Sequence, residues 1–259
     1  MICNYTLQAA LEYEQAVDRI GLYAIVAKLQ RRSLVLSLWA FIPLLLLVVG
    51  IAYWEIWVCE GAHLGRRFVI WLYDIAAVRY EQIKQFNPTW EQQFLAEPVA
   101  KVLGTLPNAS VLDVGAGTGR LAHSLFHLPN IHARVICLEP SKSMLKRGLS
   151  RTPSESTRWV RGWAVPLPFP DEHFDLVASL EILEFTPHPL QTIEELARVL
   201  RPGGWLLITN RVGKEARWIF GKTFTRERFP EILGDKGFEN VEVFRWQVTY
   251  DLAWAQKQN

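Results

Sequence analysis

The stretch Val111-Leu112-Asp113-Val114-Gly115-Ala116-Gly117-Thr118-Gly119-Arg120 constrains this chain more than any other. Val111, Leu112 and Val114 form a short apolar run suited to a buried strand. Three glycines then turn the chain, and Leu121, Leu125 and Phe126 begin a helical spacing. Glycine is needed at such a turn because a side chain would hold the backbone away from a ligand, and because a positive φ costs glycine nothing. Strand, glycine turn and helix in that order predict an α/β fold with a nucleotide-type site over the carboxyl end of the strand. The spacing is Gly-x-Gly-x-Gly, with Arg120 where a dinucleotide fingerprint wants its last glycine, which argues against NAD or FAD.

Asp113, two residues before the first glycine, completes a pattern that resembles motif I of the class I S-adenosylmethionine-dependent methyltransferases. Residues 133–139 read as the second strand, ending on Glu139. A carboxylate there can accept hydrogen bonds from both hydroxyls of a ribose. Pro140 and Ser141 then start a helix. After a third strand over 157–163, the run from Ala164 to Asp175 resembles the Ala-x-x-Leu-Pro-Phe-x-Asp-x-x-Phe-Asp signature of the type 11, quinone-biosynthesis-like group of these enzymes. Asp175 opens a fourth strand over 176–180. The run Glu195-Leu196-Ala197-Arg198-Val199-Leu200-Arg201-Pro202-Gly203-Gly204 resembles a second family hallmark, in which a helix ends, Pro and Gly turn the chain, and a strand (205–209) follows. A helix over 229–236 and strands over 241–246 and 248–254 close the chain. Ahead of the core, Tyr73-Asp74-Ile75-Ala76-Ala77-Val78-Arg79-Tyr80 is similar to a Tyr-Asp-x-x-Ala-x-x-Tyr stretch that caps the cofactor pocket in the same group. It lies on an expected amphipathic helix over 64–86, which a second helix over 90–103 follows.

The resemblance covers about residues 72–254. It implies a Rossmann-like, seven-stranded methyltransferase sheet with helices on both faces and an antiparallel last strand. It also implies S-adenosyl-L-methionine as cofactor, held by Asp113, Gly115, Ala116, Gly117, Gly119, Glu139, Pro140, Leu180 and Glu181, with Trp163 and Ala164 flanking the adenine.

Outside the resemblance, the run from Leu34 to Val58 carries one acid, Glu55, and no basic residue. As a helix it would be about 37 Å long, enough for one crossing of a hydrocarbon core of about 30 Å. Trp39 near one end and Tyr53, Trp54 and Trp57 near the other match an aromatic belt. The expected organisation is an interfacial segment at 1–33, a membrane helix at 34–58, helical capping elements at 59–104 and the methyltransferase domain at 105–259. A buried hairpin is the competing reading of 34–58. Arg19, Lys28, Arg31 and Arg32 before the run weakly favour a cytoplasmic N-terminus. A cofactor made inside cells instead places the C-terminal domain in the cytoplasm, by an N-out span or a segment that dips in without crossing. A net charge of +2, with no basic patch interleaved with stacking aromatics, gives no ground for a nucleic-acid partner. Cys3, Cys59 and Cys137 lack metal-ligand spacing and read as thiols, with acylation of Cys59 at a membrane edge as a lesser alternative.

Methyl transfer from a sulfonium needs positioning and exclusion of water, and a base only for a protonated acceptor. Glu181, Glu184 and His188 stand near the fourth strand's end, yet nothing in the sequence selects any of them as a base. His123 and His127 lie four apart on a helix without a matching carboxylate and read as a packing or solvated pair, not a metal site. The loop 214–228 mixes Trp218, Ile219, Phe220 and Phe224 with five basic residues, suiting a membrane contact, a substrate lid or ordinary packing. The function expected is methylation of a lipophilic small molecule such as a quinone precursor, lipid headgroup or isoprenoid. A catalytically inactive methyltransferase-like scaffold and an NAD-dependent oxidoreductase are the alternatives.

Overall fold

The computed structural model describes residues 19, 23, 27–33, 39, 41–104, 106, 108–152 and 155–259. The expected interfacial helix within 1–33, the start of the apolar run, and Cys3 therefore lie largely or wholly outside the described residues. The chain divides into two compact units, Met1–Trp54 and Glu55–Asn259. Helix α1, Phe41–Val58, ends in a π-helical turn and is long and apolar enough to cross a membrane. Its side chains from Phe41 to Tyr53 are exposed.

The second unit is built on a seven-stranded sheet comprising β1 (Ala109–Val114), β2 (Ala133–Leu138), β3 (Thr157–Val160), β4 (Phe174–Ser179), β5 (Leu200–Arg211), β6 (Phe238–Trp246) and β7 (Tyr250–Lys257). Their order is β3-β2-β1-β4-β5-β7-β6. β1 to β5 are parallel, and β7 runs antiparallel between β5 and β6. This is the Rossmann-like methyltransferase sheet that the sequence predicts. Alternate strand residues enter different cores, as a period of two requires. Val111, Val135, Leu176 and Leu207 pack on one face, and Leu112, Val177, Leu206 and Ile208 on the other. Each fully buried aliphatic side chain contributes about 1.5–3 kcal/mol.

Helices α5 (Glu97–Leu103), α6 (Arg120–Leu125), α7 (Lys142–Arg151), α8 (Pro189–Val199) and α9 (Arg228–Asp235) flank the sheet. Ahead of them, α2 (Arg66–Ala76) runs through a 3-10 turn into α3 (Tyr80–Lys84), which stops where Gln85 turns left-handed (φ 48). The helix expected over 90–103 is broken. Asn87 caps α4 (Pro88–Glu91), and a π turn precedes α5. Two strand expectations also shift. β3 ends at Val160, so Trp163 lies in the following loop. Strand pairing already begins at Leu200, opposite Phe174, and the register slips before Trp205 pairs with Leu176, so Arg201–Gly204 forms a bulge within β5 rather than a turn before it.

Candidate cofactor site

Sheet order reverses between β1 and β4, and a ligand cleft belongs outside the carboxyl ends of strands at such a point. The cleft found there collects Asp113, Gly115, Ala116 and Gly117 after β1, Glu139 and Pro140 after β2, Trp163 and Ala164 beyond β3, and Leu180 and Glu181 after β4. Gly115 and Ala116 donate backbone hydrogen bonds to the Leu138 carbonyl at 2.8 and 3.1 Å, locking the glycine turn to β2. Gly117 has a φ of 57°, and a Cβ there would meet nothing within 4 Å, so its backbone is bare toward the cleft. Gly119, also expected to bind cofactor, is not among the cleft residues. A Cβ on it would press Thr152 and Trp159, at 2.9 and 3.1 Å, so this glycine serves helix–strand packing.

Glu139 is buried, and its carboxylate is held by two backbone amides, Gly117 N at 2.8 Å and Ser141 N at 2.7 Å. Two further lone pairs remain for a ligand. Burial pushes its pKa up to about 7 despite these bonds, with Asp74 adding to the rise. Asp113 is likewise pushed up to about 7, by burial first and by Glu139 second, while Arg120 opposes the rise. The cleft floor thus holds two acids short of positive charge.

Arg120, which displaces the dinucleotide glycine, lies inside the fold. Its guanidinium donates to Glu91 through Nε (2.5 Å) and Nη2 (2.7 Å) and to Glu181 through Nη1 (2.5 Å), and it stacks over Phe86 at 4.2 Å. Glu181 also accepts from Lys84 at 3.0 Å and Gln247 at 3.2 Å. Burial alone would raise its pKa, but Lys84 and Arg120 hold it below the usual value. A carboxylate so engaged is a structural hub rather than a base. Glu184 is fully buried outside the cleft and accepts from the Tyr250 hydroxyl at 2.5 Å; burial raises its pKa. His188 is exposed at the N-cap of α8, where its side chain makes no capping bond. None of the three base candidates is free and facing the cleft.

The outer wall is α2. Asp74 accepts from Ser141 Oγ (2.6 Å) and Ser143 N (2.9 Å) at the start of α7, and Glu81 pairs with Arg147 (2.7 Å) and Arg151. These bonds turn Tyr73 and Tyr80 into the cleft, with ring centroids 6.0 Å apart and Phe185 5.8 Å from Tyr73. The sequence reading missed Arg66, Val69 and Ile70, which α2 also adds to the wall. Arg66 lies 4.2 Å over the Trp163 ring, a cation–π contact. Helical spacing from Tyr73 back to Arg66 carries the only sequence signal for these residues.

The two family-like signatures meet in one clamp. Arg198 of α8 donates to the carbonyls of Leu167 (3.1 Å) and Phe169 (2.9 Å) and to Asp171 (2.7 Å), while Glu195 accepts from Leu167 N at 2.7 Å. Elsewhere, Glu55 and His63 flank Cys59 at four residues on either side, a spacing the cysteine reading overlooked. Their ligand atoms lie within 4.8 Å of one another, and the Glu55 carboxylate accepts from His63 N (3.0 Å) and contacts its Nδ1 (2.9 Å). The Cys59 thiol is enclosed, and burial pushes its pKa up to about 11, with Glu55 adding to the rise, which disfavours the thiolate that acylation needs. His127 Nδ1 contacts the His123 carbonyl at 2.6 Å, and the two rings pack edge to face.

The donor set fits S-adenosyl-L-methionine. Two buried acids short of cations suit its positive charge, Glu139 retains acceptor capacity for hydroxyls, and the open backbone at Gly117 admits close approach. Comparison with known proteins agrees. The fold is that of the class I S-adenosylmethionine-dependent methyltransferases. It is shared with a methyltransferase from Aquifex aeolicus (TM-score 0.51, 20% identity, covering 66% of this chain and 99% of that one) and with the cyclase SpnF (TM-score 0.54, 23% identity, covering 63% and 80%). Residues 112–208 match a type 11 family model described as a methyltransferase domain. The ubiquinone/menaquinone biosynthesis C-methyltransferase UbiE of a Shewanella species is 28% identical over 141 residues, 53% of this chain and 56% of its own length. Its counterpart in Pseudomonas fluorescens is 37% identical over 102 residues, 38% and 40%. The chain thus spans about half the length of the curated relatives it matches. The match over residues 112–208 and the shared fold together imply S-adenosyl-L-methionine as the cofactor.

Proposed function

We propose that this protein transfers a methyl group from S-adenosyl-L-methionine to a lipophilic small molecule, in the manner of a quinone-biosynthesis C-methyltransferase, while held at a membrane by the segment 34–58 with residues 105–259 on the cytoplasmic side. The observation that carries the reading is a single cleft joining two kinds of wall. One is the acidic, glycine-bare floor of Asp113, Gly117 and Glu139, and the other is the apolar and aromatic lining of Val69, Ile70, Tyr73 and Phe185. The floor, with Ala116, Pro140, Trp163, Ala164 and Leu180, would hold the cofactor. The aromatic wall would receive a flat, apolar acceptor. When bound, the cofactor supplies an electrophilic methyl on a sulfonium. The chain's part is then to orient both partners and keep water out, which suits a site whose acids are either paired or dedicated to binding. The UbiE relatives support a quinone-type acceptor, and helix α1 supports the membrane setting.

Calorimetric titration of the detergent-solubilised protein with S-adenosyl-L-methionine, with NAD as control, tests the cofactor half. Micromolar binding of the first alone, lost in Gly117→Arg, is expected, and a folded sample that binds neither overturns the reading. Transfer of label from methyl-labelled cofactor to a lipid extract, against a water-soluble extract, tests the acceptor half.

A further inference from the structure

A helix that buries one face in a protein ordinarily offers water a polar opposite face. Helix α2 does not. Its inner face supplies Val69, Ile70 and Tyr73 to the core and cleft, while Trp71 and Ile75 on the outer face, with Val78 one turn on, are 54%, 62% and 73% exposed. The apolar strip continues toward the helix start through Phe68, whose ring lies 5.4 Å from Trp71, to the exposed Leu64. Beyond it, His63 contacts Phe220 at 6.2 Å between ring centroids. Phe220 and Trp218 are 67% and 52% exposed on the 214–224 loop. That loop is fixed to the start of the unit by Lys222, which donates to the Ala62 carbonyl at 2.6 Å, and by Cys59, whose thiol contacts the Trp218 carbonyl at 3.8 Å. Exposed Arg66, Arg67, Lys214 and Arg217 accompany the strip.

We infer that this strip, from Phe220 along α2 to Val78, is a second membrane contact that lays the cleft's outer wall on a lipid surface bearing anionic headgroups. The inference rests on the membrane reading above and adds to it the face that touches lipid. The occupant follows from continuity and chemistry. The strip begins within a few residues of Val58, where the apolar helix α1 ends, and it combines tryptophan and aliphatic side chains with flanking arginine and lysine, as an interfacial helix does. An acceptor dissolved in the bilayer would then reach the cleft past α2 without crossing water.

The test uses the full chain with Cys3 replaced by Ser, reconstituted into vesicles of phosphatidylcholine and phosphatidylglycerol. A single environment-sensitive label is placed at Ile75→Cys, at Val78→Cys as a second position in case the first does not fold, or at Leu149→Cys as an exposed control on α7. Titration with S-adenosyl-L-methionine verifies each variant's fold. The label on α2 is expected to blue-shift, to be quenched by lipid-borne spin labels, and to be several-fold less accessible to iodide than the control. If the protein stays on the vesicles but the α2 label behaves like that at position 149, the inference fails and the anchoring reading stands. If the protein does not associate with vesicles, both fail. If the label is shielded from iodide yet untouched by lipid-borne quencher, another protein segment covers the face and the inference is overturned.

Discussion

Arg120 and Glu181 form a buried ion pair, Nη1 2.5 Å from Oε1, at the rim of the cleft. Glu91 holds the other edge of the same guanidinium, so one planar cation joins α4, the glycine turn and the end of β4. Removing it would strip buried Glu91 of its cation and leave Glu181 to Lys84 and Gln247, which costs about 3–5 kcal/mol. Arg120→Ala is expected to lower stability by that amount in urea titration. Arg120→Lys should recover only a minor part, because an ammonium cannot serve both acids in the fork geometry.

The last two glycines of the turn are expected to fail in different ways. Gly117→Leu points into open space and should abolish cofactor binding in calorimetry, while strain at its positive φ costs about 1–2 kcal/mol of stability. Gly119→Leu would drive into Thr152 and Trp159, and should show instead as a fall in melting temperature.

Asp113 and Glu139 give the site a pH dependence of definite sign. Each has a pKa raised to about 7 by burial, so the folded state favours its protonated form. That contribution is complete below the ordinary carboxylate range near pH 4 and is lost as pH rises through 7. A cationic cofactor favours the ionised acids and reverses the trend. Affinity for S-adenosyl-L-methionine is expected to rise about tenfold from pH 6 to 8 for each ionisation at pKa 7, with proton release. Calorimetry in two buffers of different ionisation enthalpy reads this directly, and Glu139→Gln should flatten the rise.

Glu184 and Tyr250 test whether a buried acid beside the site takes part in the chemistry. Glu184 Oε2 has no hydrogen-bond partner, and Oε1 depends on the Tyr250 hydroxyl, with Arg211 Nη1 at 3.9 Å. Tyr250→Phe is expected to cost about 1–3 kcal/mol of stability. Glu184→Gln should leave methyl transfer and its pH profile unchanged, the outcome a catalytic base would forbid.

Residues that act through backbone geometry were legible in the sequence. The strand-turn-helix at Val111–Arg120 and the acid closing β2 announce themselves because a bare turn and a strand-end carboxylate need particular residue types at fixed spacing. Partners joined across the fold were not. No periodicity ties Arg120 to Glu91 and Glu181, or Asp74 to Ser141, and Gly119 has the same sequence signature whether it faces a ligand or a tryptophan. The expected Trp90–Leu103 helix also failed, because Asn87-Pro88 starts a separate short turn that a π bulge connects to α5.

The clamp of Arg198 and Glu195 on Leu167–Asp171 bears on how such chains diverge. Both halves of the most recognisable family pattern are spent on bracing one loop against one helix, so selection for folding alone would preserve them together, each change in one drawing a compensating change in the other. A descendant that abandoned methyl transfer would keep this pattern. Its departure would be written first at Asp113, Gly117 and Glu139, the positions whose upkeep a fold without a ligand has no reason to maintain.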